Sequence, residues 1–278
     1  MKHEEGHFQN IRNTNIYWQS WLPENEPRAL LLIVHGYAGH SGRWTNVVNH
    51  FVPNGFAVYG MDLIGHGRSE GTRGYVRKFE DFTETLHLFL RMVRGMQAEK
   101  PIYMIGFSLG ALIASVYLLD HQKQLAGAVL LGATVKVPEY ISSFTIFIGK
   151  ILSAILPKAG LFAFEDEEGI SRDQTVVEAF KNDPLAYRGK VKARLASEEL
   201  KALIRLNKEF RQITLPILIL HGTADRYVDP ENAQLTFNLI QSKDKQIKVY
   251  EGFYHELFSE PEREIVFADM EEWLNQRI

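Results

Sequence analysis

Cysteine is absent from this chain of 278 residues, which excludes disulfide bonds, thiolate metal sites and a cysteine nucleophile. An excess of one charge is missing as well: 31 basic and 34 acidic residues leave a formal net charge of −3, so we expect no nucleic-acid partner. No apolar run reaches the roughly 18 residues of a membrane span, and the polar N-terminal segment lacks the apolar core of a signal peptide. These absences together predict a soluble protein of the cytoplasm.

Two classes of cofactor site also lack support in the sequence. Neither the dinucleotide pattern G-x-G-x-x-G nor the phosphate loop G-x-x-x-x-G-K-[ST] occurs. The segment His3–His7 matches the zinc pattern H-E-x-x-H, which requires both histidines on one helix face. Here the segment includes a glycine, lies at a terminus that frays easily and has no evident third ligand nearby. We therefore expect no cofactor and no metal.

A short apolar run followed by a helical pattern recurs along the chain. The predicted strands are Arg28–Val34, Ala57–Leu63, Pro101–Phe107, Leu125–Leu131, Pro216–Leu220 and Gln246–Glu251. The predicted helices between and after them are Trp44–Pro53, Lys78–Gln97, Leu109–Leu119, Pro230–Gln241 and Glu262–Gln276. Several runs are apolar throughout, which is typical of parallel strands covered on both faces. The pattern predicts an α/β fold with a mostly parallel central sheet flanked by helices, and Gly6–Gln9 with Tyr17–Leu22 could add an antiparallel pair at one edge.

The alternation of strand and helix stops between residues 134 and 213. This stretch shows only helical patterns, over Tyr140–Leu156, Gln174–Lys181 and Ser197–Phe210. We predict a core formed by residues 1–133 and 214–278, with residues 134–213 inserted as a helical cap. The first cap helix is strongly apolar, and it either packs on the domain or forms a lid that lines an apolar pocket or touches lipid.

The signature Gly-x-Ser-x-Gly occurs twice, at residues 67–71 and 106–110. A nucleophile elbow requires a strand that runs straight into the serine and a helix that leaves it. Ser108 directly follows the predicted strand Pro101–Phe107 and directly precedes the predicted helix Leu109–Leu119. Ser69 lies in a polar, glycine-rich stretch well past its strand, and we interpret it as a loop residue at a tight turn. We predict that Ser108 is the nucleophile.

Two backbone N–H groups are candidates for an oxyanion hole. The N–H of Leu109 lies at the start of the helix after the nucleophile, where it can stabilise negative charge. The loop after Arg28–Val34 should supply a second donor, for which the N–H of Tyr37 is the best candidate. The alternative interpretation of this loop is a simple turn that contains glycine.

Ten histidines compete for the role of general base. His255 lies just after the last predicted strand, and the chain order of nucleophile, acid and histidine then matches this type of elbow. Asp225 lies close to the end of the preceding strand and is the predicted acid, which would fix the histidine tautomer. Asp229 immediately precedes a proline and is a better candidate for a helix N-cap. His35 and His221 each end a strand before a glycine, and we expect them to hold loops in place.

Six segments along the chain are similar to those of a known family: HGYAGHSGRW (35–44), GMDLIGHGRSEG (60–71), GFSLGA (106–111), HGTADRYVDP (221–230), GFYHELFSEPER (252–263) and SRDQTVVEAFKNDPLAYRGKVKARLASEEL (171–200). They resemble the monoacylglycerol lipase and lysophospholipase branch of the α/β-hydrolases, and the resemblance covers most of the chain. The last segment lies in the predicted cap. Because cap sequences vary widely between hydrolase subfamilies, that match is the most discriminating one.

The resemblance implies the α/β-hydrolase fold and a cofactor-free serine hydrolase whose cap shapes an apolar acyl pocket. It assigns Ser108, Asp225 and His255 to a catalytic triad, and Tyr37 and Leu109 to the oxyanion hole.

The resemblance also bears on substrate contacts. Arg43 matches a family arginine near the entrance of the site, with a surface ion pair as the alternative interpretation. Gly39 stands where some members carry a carboxylate near the glycerol end of the substrate, so the alcohol preference is open. We expect Phe107, Phe144 and Ile148 to contact the substrate together with Arg43.

We therefore predict a serine hydrolase that cleaves carboxylic esters of lipids, with monoacylglycerols as the leading substrates, through an acyl-enzyme on Ser108. A general carboxylesterase and a lysophospholipase are the alternatives, and a hydrolase-like ligand receptor is a more remote one. A perhydrolase or a C–C bond hydrolase would use the same triad. The apolar residues of Tyr140–Leu156 predict transient contact of the cap with a membrane surface, which would make the protein peripheral. The sequence makes no prediction of the oligomeric state.

Overall fold

Parallel strands dominate the central sheet of the protein. The computed structural model describes residues 1–136, 143–163 and 166–278, and the side chains of residues 143–147 lie outside this description. Within these ranges eight strands form one sheet: β1 (Lys2–Gln9), β2 (Asn15–Leu22), β3 (Ala29–Val34), β4 (Phe56–Met61), β5 (Ile102–Phe107), β6 (Gly127–Leu131), β7 (Ile217–Gly222) and β8 (Lys245–Tyr250).

The helices alternate with the strands, as the sequence pattern predicts. Those of the described residues are α1 (Thr45–Phe51), α2 (Glu80–Met96), α3 (Leu109–His121), α4 (Ser143–Ile155), α5 (Gln174–Asn182), α6 (Ala193–Glu209), α7 (Glu231–Leu239) and α8 (Arg263–Asn275). None of these helices combines the length and the apolar character that crossing a bilayer requires.

The strand order is β1-β2-β4-β3-β5-β6-β7-β8. The pairs from β4 to β8 are parallel, whereas β2 runs antiparallel to both β1 and β4. The predicted parallel sheet is therefore confirmed, and the two N-terminal runs form an antiparallel pair at one edge. Both strands begin before the predicted limits. In β1 the added residues alternate between exposed and partly buried positions and are mostly polar, so their hydrophobicity does not reveal a strand.

Helices cover both faces of the sheet, which explains why β3 is apolar throughout and buried at every position. Leu30 and Leu32 point to the face that packs against α2 and α3. Leu31 and Ile33 point to the opposite face, which packs against α1 and α8. Because successive side chains of a strand alternate between faces, a strand that is covered on both sides has no exposed position for a polar residue.

Of the helices that the structure describes, α4, α5 and α6 lie between β6 and β7 in the chain. Helix α6 packs against α3 of the core and against α4. Its apolar face supplies Leu195, Leu203 and Leu206 to the core cluster, while its other face carries charged residues. The first residues of the predicted helix Tyr140–Leu156 lie outside the described part of the chain.

The loops after β3, β5, β7 and β8 all leave the sheet at the same edge, because these four strands are mutually parallel. In open α/β sheets this carboxyl edge is where ligands bind.

Candidate active site

Ser108 sits at a strained turn between β5 and α3, with φ 54° and ψ −120°. A positive φ is costly for a residue with a side chain, and such strain is concentrated at functional sites. The turn is held by a hydrogen bond from the Ser108 N–H to the carbonyl of Leu131 at 2.9 Å. A Cβ on Gly110 would lie 2.0 Å from the carbonyl oxygen of Val34, and one on Gly106 would lie 2.6 Å from that of Gly110. The two glycines of the motif therefore permit the close approach that exposes Ser108.

Ser69, the serine of the second motif, is buried in a loop. Its hydroxyl donates to the carbonyl of Asp62 at 2.6 Å and accepts from the N–H of Tyr17 at 2.9 Å. Its two hydrogen bonds tie strand β2 to the loop after β4. This hydroxyl joins backbone segments and does not line the cavity that Ser108 lines.

The loop after β3 lies against the elbow. A Cβ on Gly36 would be 3.1 Å from the Cβ of Ser108, so the chain passes directly beside the nucleophile. His35 fixes this loop: its Nε2 accepts from the N–H of Leu63 at 2.8 Å, and its Nδ1 donates to the carbonyl of Gly36 at 2.8 Å. Burial lowers the pKa of His35 to about 3, so the ring is neutral. The expectation that His35 holds a loop agrees with these contacts.

The two predicted oxyanion donors, Tyr37 and Leu109, border Ser108. Tyr37 lies in the loop after β3 and lines the same cavity as Ser108. Leu109 is the first residue of α3, and within the described residues its N–H makes no hydrogen bond to the chain. A free N–H at a helix start is a suitable donor for developing negative charge.

His255 and Asp225 form a short hydrogen bond, 2.7 Å between Nδ1 and Oδ2. The other carboxylate oxygen of Asp225 accepts from the N–H groups of Tyr227 at 2.9 Å and Val228 at 3.0 Å. Burial on its own would raise the pKa of Asp225, but the charge of His255 and the hydrogen bonds to the carboxylate hold it below the usual value. The side chain of Asp225 is thus an ionised acceptor beneath the imidazole.

Asp229, the competing acid, has a different partner. Its carboxylate accepts from the N–H of Glu231 at 2.9 Å, at the first residue of α7. The side chain of Asp229 thus bonds to the backbone at the start of α7, where Pro230 is the N-cap residue.

His221 contributes a contact that sequence reasoning missed. Its Nε2 lies 3.0 Å from Oδ2 of Asp225 and 3.1 Å from the carbonyl oxygen of Val228. We expected His221 only to hold a loop. In the sequence His221 lies at the end of β7, four residues before Asp225. That spacing brings the two side chains together only because of the conformation of the turn after β7.

One cavity contains Ser108 and His255 in its wall, together with the loop after β3 and side chains from the segment between β6 and β7. Its large apolar lining residues are Trp44, Phe107, Ile170, Phe180 and Phe258. Phe107 is among the predicted contacts, and its ring lies 4.7 Å from that of His255.

Polar groups occupy another part of the cavity wall. Arg43 pairs with Glu256 at 3.3 Å and lies over the ring of Phe180 at 4.8 Å. The side chains of Arg43 and Glu256 are only 12% and 8% exposed, so this ion pair is in the wall and not on the surface. The sequence analysis did not predict that Glu256 lines the cavity. Its position directly after His255 was the one feature that could have indicated it.

The two remaining predicted contacts are not among the lining residues. The side chain of Phe144 lies outside the described residues. Ile148 is 45% exposed on α4 and is absent from the cavity wall that the described residues form. Helical periodicity places Ile148 on the apolar face of an amphipathic helix. It does not show which part of the protein that face contacts.

The H-E-x-x-H segment at the N-terminus is part of strand β1. Residues four apart on a strand are separated by about 13 Å, which is too far for His3 and His7 to share one ion. His3 instead bonds to Gln19 at 3.1 Å. Within the ranges that the structure describes, no group of three or more potential metal ligands occurs.

The order of the strands, the helices on both faces and the serine turn between β5 and α3 define the α/β-hydrolase fold. The family described as serine aminopeptidase, S33 matches residues 25–262, and the chain belongs to this family.

Monoacylglycerol lipases are among the relatives of the chain. The chain is 32% identical over 274 residues to a monoacylglycerol lipase of Mycolicibacterium smegmatis, covering 97% of this chain and 96% of the relative. It is 33% identical over 277 residues to the monoglyceride lipase of Homo sapiens, covering 98% and 90%. The solved structure of Paleococcus ferrophilus monoacylglycerol lipase superposes with a TM-score of 0.83 at 28% identity and complete coverage of both chains.

Proposed function

We propose that this protein is a serine hydrolase that cleaves the carboxylic ester bond of lipids, with monoacylglycerols as its preferred substrates. The observation that carries the proposal is the arrangement of Ser108, strained and exposed to a cavity, with His255 in the same wall and Asp225 behind it. The names of the relatives support the substrate class.

The reaction proceeds in two steps through an acyl-enzyme. His255 accepts the proton of Ser108 as the hydroxyl attacks the ester carbonyl, and the N–H groups of Tyr37 and Leu109 stabilise the oxyanion. The alcohol then leaves with a proton from His255. Water attacks the acyl-enzyme with His255 again as the base, which releases the fatty acid and restores the serine. Asp225 holds His255 with its proton on Nδ1 throughout, so that Nε2 is the atom that exchanges protons.

The cavity wall suits an amphipathic ester. Its aromatic and aliphatic side chains accept an acyl chain, for which burial is favourable by about 0.8 kcal/mol per methylene group. The Arg43–Glu256 pair supplies donors and acceptors that we assign to the glycerol hydroxyls. Because Gly39 offers no carboxylate, Glu256 is the acidic group that we assign to this part of the substrate.

A substrate panel tests the proposed function. The panel contains monoacylglycerols, lysophospholipids and aryl esters of graded chain length. We expect multiple fast turnovers on monoacylglycerols, with activity rising from short to medium acyl chains. Activity that stays flat or falls beyond about four carbons would favour a general carboxylesterase, since an apolar cavity should reward each added methylene. Preference for the lysophospholipid would favour a lysophospholipase, and ligand retention without turnover would favour a receptor.

We also propose that the segment after β6 contacts membrane surfaces transiently. Between residues 148 and 162 its large exposed apolar side chains are Ile148, Ile151, Ile155, Leu156, Leu161 and Phe162. Such a patch is a common mark of a membrane or protein interaction site.

Vesicle flotation tests this contact with a matched pair of variants. Ile155, 71% exposed on α4, and Ile265, 55% exposed on α8, are both replaced by aspartate. We expect Ile155→Asp to reduce flotation with phosphatidylcholine vesicles and Ile265→Asp to leave it unchanged. Equal flotation of both variants, or no flotation of the unmodified protein, would contradict the contact.

A further inference from the structure

The carboxylate of Asp225 is held by four donors, two on each oxygen. Backbone N–H groups of Tyr227 and Val228 bond to Oδ1 at 2.9 and 3.0 Å. Two imidazoles bond to Oδ2, with His255 Nδ1 at 2.7 Å and His221 Nε2 at 3.0 Å. Of the two imidazoles at Oδ2, His255 lines the cavity and His221 does not.

The contacts of His221 define its tautomer. The residue is fully buried, and the two atoms near its Nε2 are both acceptors, Oδ2 of Asp225 and the carbonyl oxygen of Val228 at 3.1 Å. Nε2 must therefore carry the proton and share it between them. Nδ1 has no hydrogen-bond partner within the described residues. The ring therefore makes its hydrogen bonds through Nε2 and none through Nδ1 among these residues.

We propose that His221 is a positioning residue for the reaction, which keeps Oδ2 of Asp225 directed at Nδ1 of His255. The proposal rests on the proposed function, in which His255 moves protons at Nε2. During each cycle His255 changes from imidazole to imidazolium and back, so its own bond to Asp225 varies in strength. The Nε2–H of His221 does not take part in that exchange. It fixes the rotation of the carboxylate while the charge on His255 changes.

His221 also has a structural role. The two roles predict different effects when His221 is replaced. The bond to the Val228 carbonyl holds the turn after β7, and its loss would lower stability without a specific effect on kcat. Loss of the bond to Asp225 would lower kcat, because the imidazole would be held less well in its reactive orientation. KM would change little, since His221 does not line the cavity.

Glutamine and asparagine test the donor at Nε2, and the measured quantity separates the two roles, because kcat reports the bond to Asp225 and the unfolding temperature reports the bond to Val228. The side-chain amide of glutamine places a donor near the position of Nε2, whereas that of asparagine places it near Nδ1. We expect His221→Asn to lower kcat about tenfold or more, the effect of losing one hydrogen bond to a charged group. We expect His221→Gln to retain most of the kcat. Thermal unfolding of both variants identifies the temperature at which both are folded, and the kinetics are measured there.

Two readouts do not depend on the natural substrate. The rate at which a fluorophosphonate labels Ser108 reports the reactivity of the serine and histidine together. The low-field proton resonance of the His255–Asp225 hydrogen bond reports that bond directly. We expect slower labelling and a shifted or broadened resonance in His221→Asn, and values close to the unmodified protein in His221→Gln.

The outcomes separate the inference from the proposed function. An Asn variant with unchanged kcat, labelling and resonance would overturn the positioning role, and so would a Gln variant as slow as the Asn variant while folded. Absence of monoacylglycerol hydrolysis in the unmodified protein would overturn the proposed function alone. In that case labelling and the resonance still decide the role of His221.

Discussion

His40 donates a hydrogen bond from Nε2 to the carboxylate of Asp183 at 2.8 Å. His40 belongs to the loop after β3, and Asp183 directly follows α5. In the same region the N–H of Tyr187 donates to the carbonyl of Ala38 at 2.9 Å. The loop to which we assign an oxyanion donor is therefore shaped by the segment between β6 and β7, and a change in one should alter the other.

Replacing His40 by alanine should reduce kcat/KM about tenfold, because a hydrogen bond to a partly buried carboxylate contributes about 1.5–3 kcal/mol. Without this contact the loop after β3 should exchange its amide hydrogens faster. Steady-state kinetics and hydrogen exchange measure the two effects. His50→Ala is the matched control, since His50 bonds to Glu271 at 2.9 Å and neither residue lines the cavity. Equal losses of activity in the two variants would show that the His40 contact has no specific role.

Ser108→Ala should abolish ester turnover and leave the fold intact, because the hydroxyl is the proposed nucleophile and the turn does not depend on it. Ser69→Ala should keep the activity and lower the free energy of unfolding by about 1–3 kcal/mol, since it leaves the buried N–H of Tyr17 without an acceptor. Activity assays and urea unfolding of both variants check this pair. An active Ser108→Ala variant with an inactive Ser69→Ala variant would reverse the assignment.

Gly132→Ala should lower kcat by displacing the imidazole of His255. A Cβ at this position would lie 3.1 Å from Cε1 and 3.2 Å from Nδ1 of His255. The φ of Gly132 is +56°, so the variant also strains the backbone. Gly55→Ala controls for that strain, because φ there is +87° and Gly55 precedes β4 and does not line the cavity. We expect both variants to lose stability, and only Gly132→Ala to lose kcat. A fully active Gly132→Ala variant would contradict the packing argument.

The stability of the protein should fall steeply in acid partly because of Asp225. In the fold its pKa is held below the ordinary 3.8, so the unfolded chain binds the proton more readily. The stabilisation is therefore present above about pH 4 and is lost as the pH falls further. Asp225→Asn should flatten the decline of the unfolding free energy between about pH 4 and pH 2, as urea titrations at several pH values would show. If the unfolding free energy of Asp225→Asn fell with pH as steeply as that of the unmodified protein, proton uptake by Asp225 would not contribute to the loss of stability in acid.

Much of the fold was predictable because burial on both faces makes a parallel strand apolar throughout. The limits of β3 to β8 agree with the predicted runs to within about two residues. The elbow at Ser108 was also readable, because strand, serine and helix are contiguous in the chain. The orientation of α4 was not readable from the sequence: Ile148 is exposed on this helix and does not line the cavity wall that the described residues form. Hydrophobic periodicity identifies the apolar face of a helix, but not the part of the protein against which that face packs.

The sequence by itself determined the succession of strands and helices along the chain and the turn at Ser108, and it is the basis on which we assign Asp225 rather than Asp229, since each depends on residues close together in the chain. The tertiary structure decided which distant groups meet. The pairing of Arg43 with Glu256 and the contact of His40 with Asp183 join segments that local patterns treat as independent. Even His221, only four residues from Asp225, meets it because the chain turns back after β7. Short-range propensities follow from neighbours in sequence, whereas the partners of a buried polar group follow from how the whole chain packs.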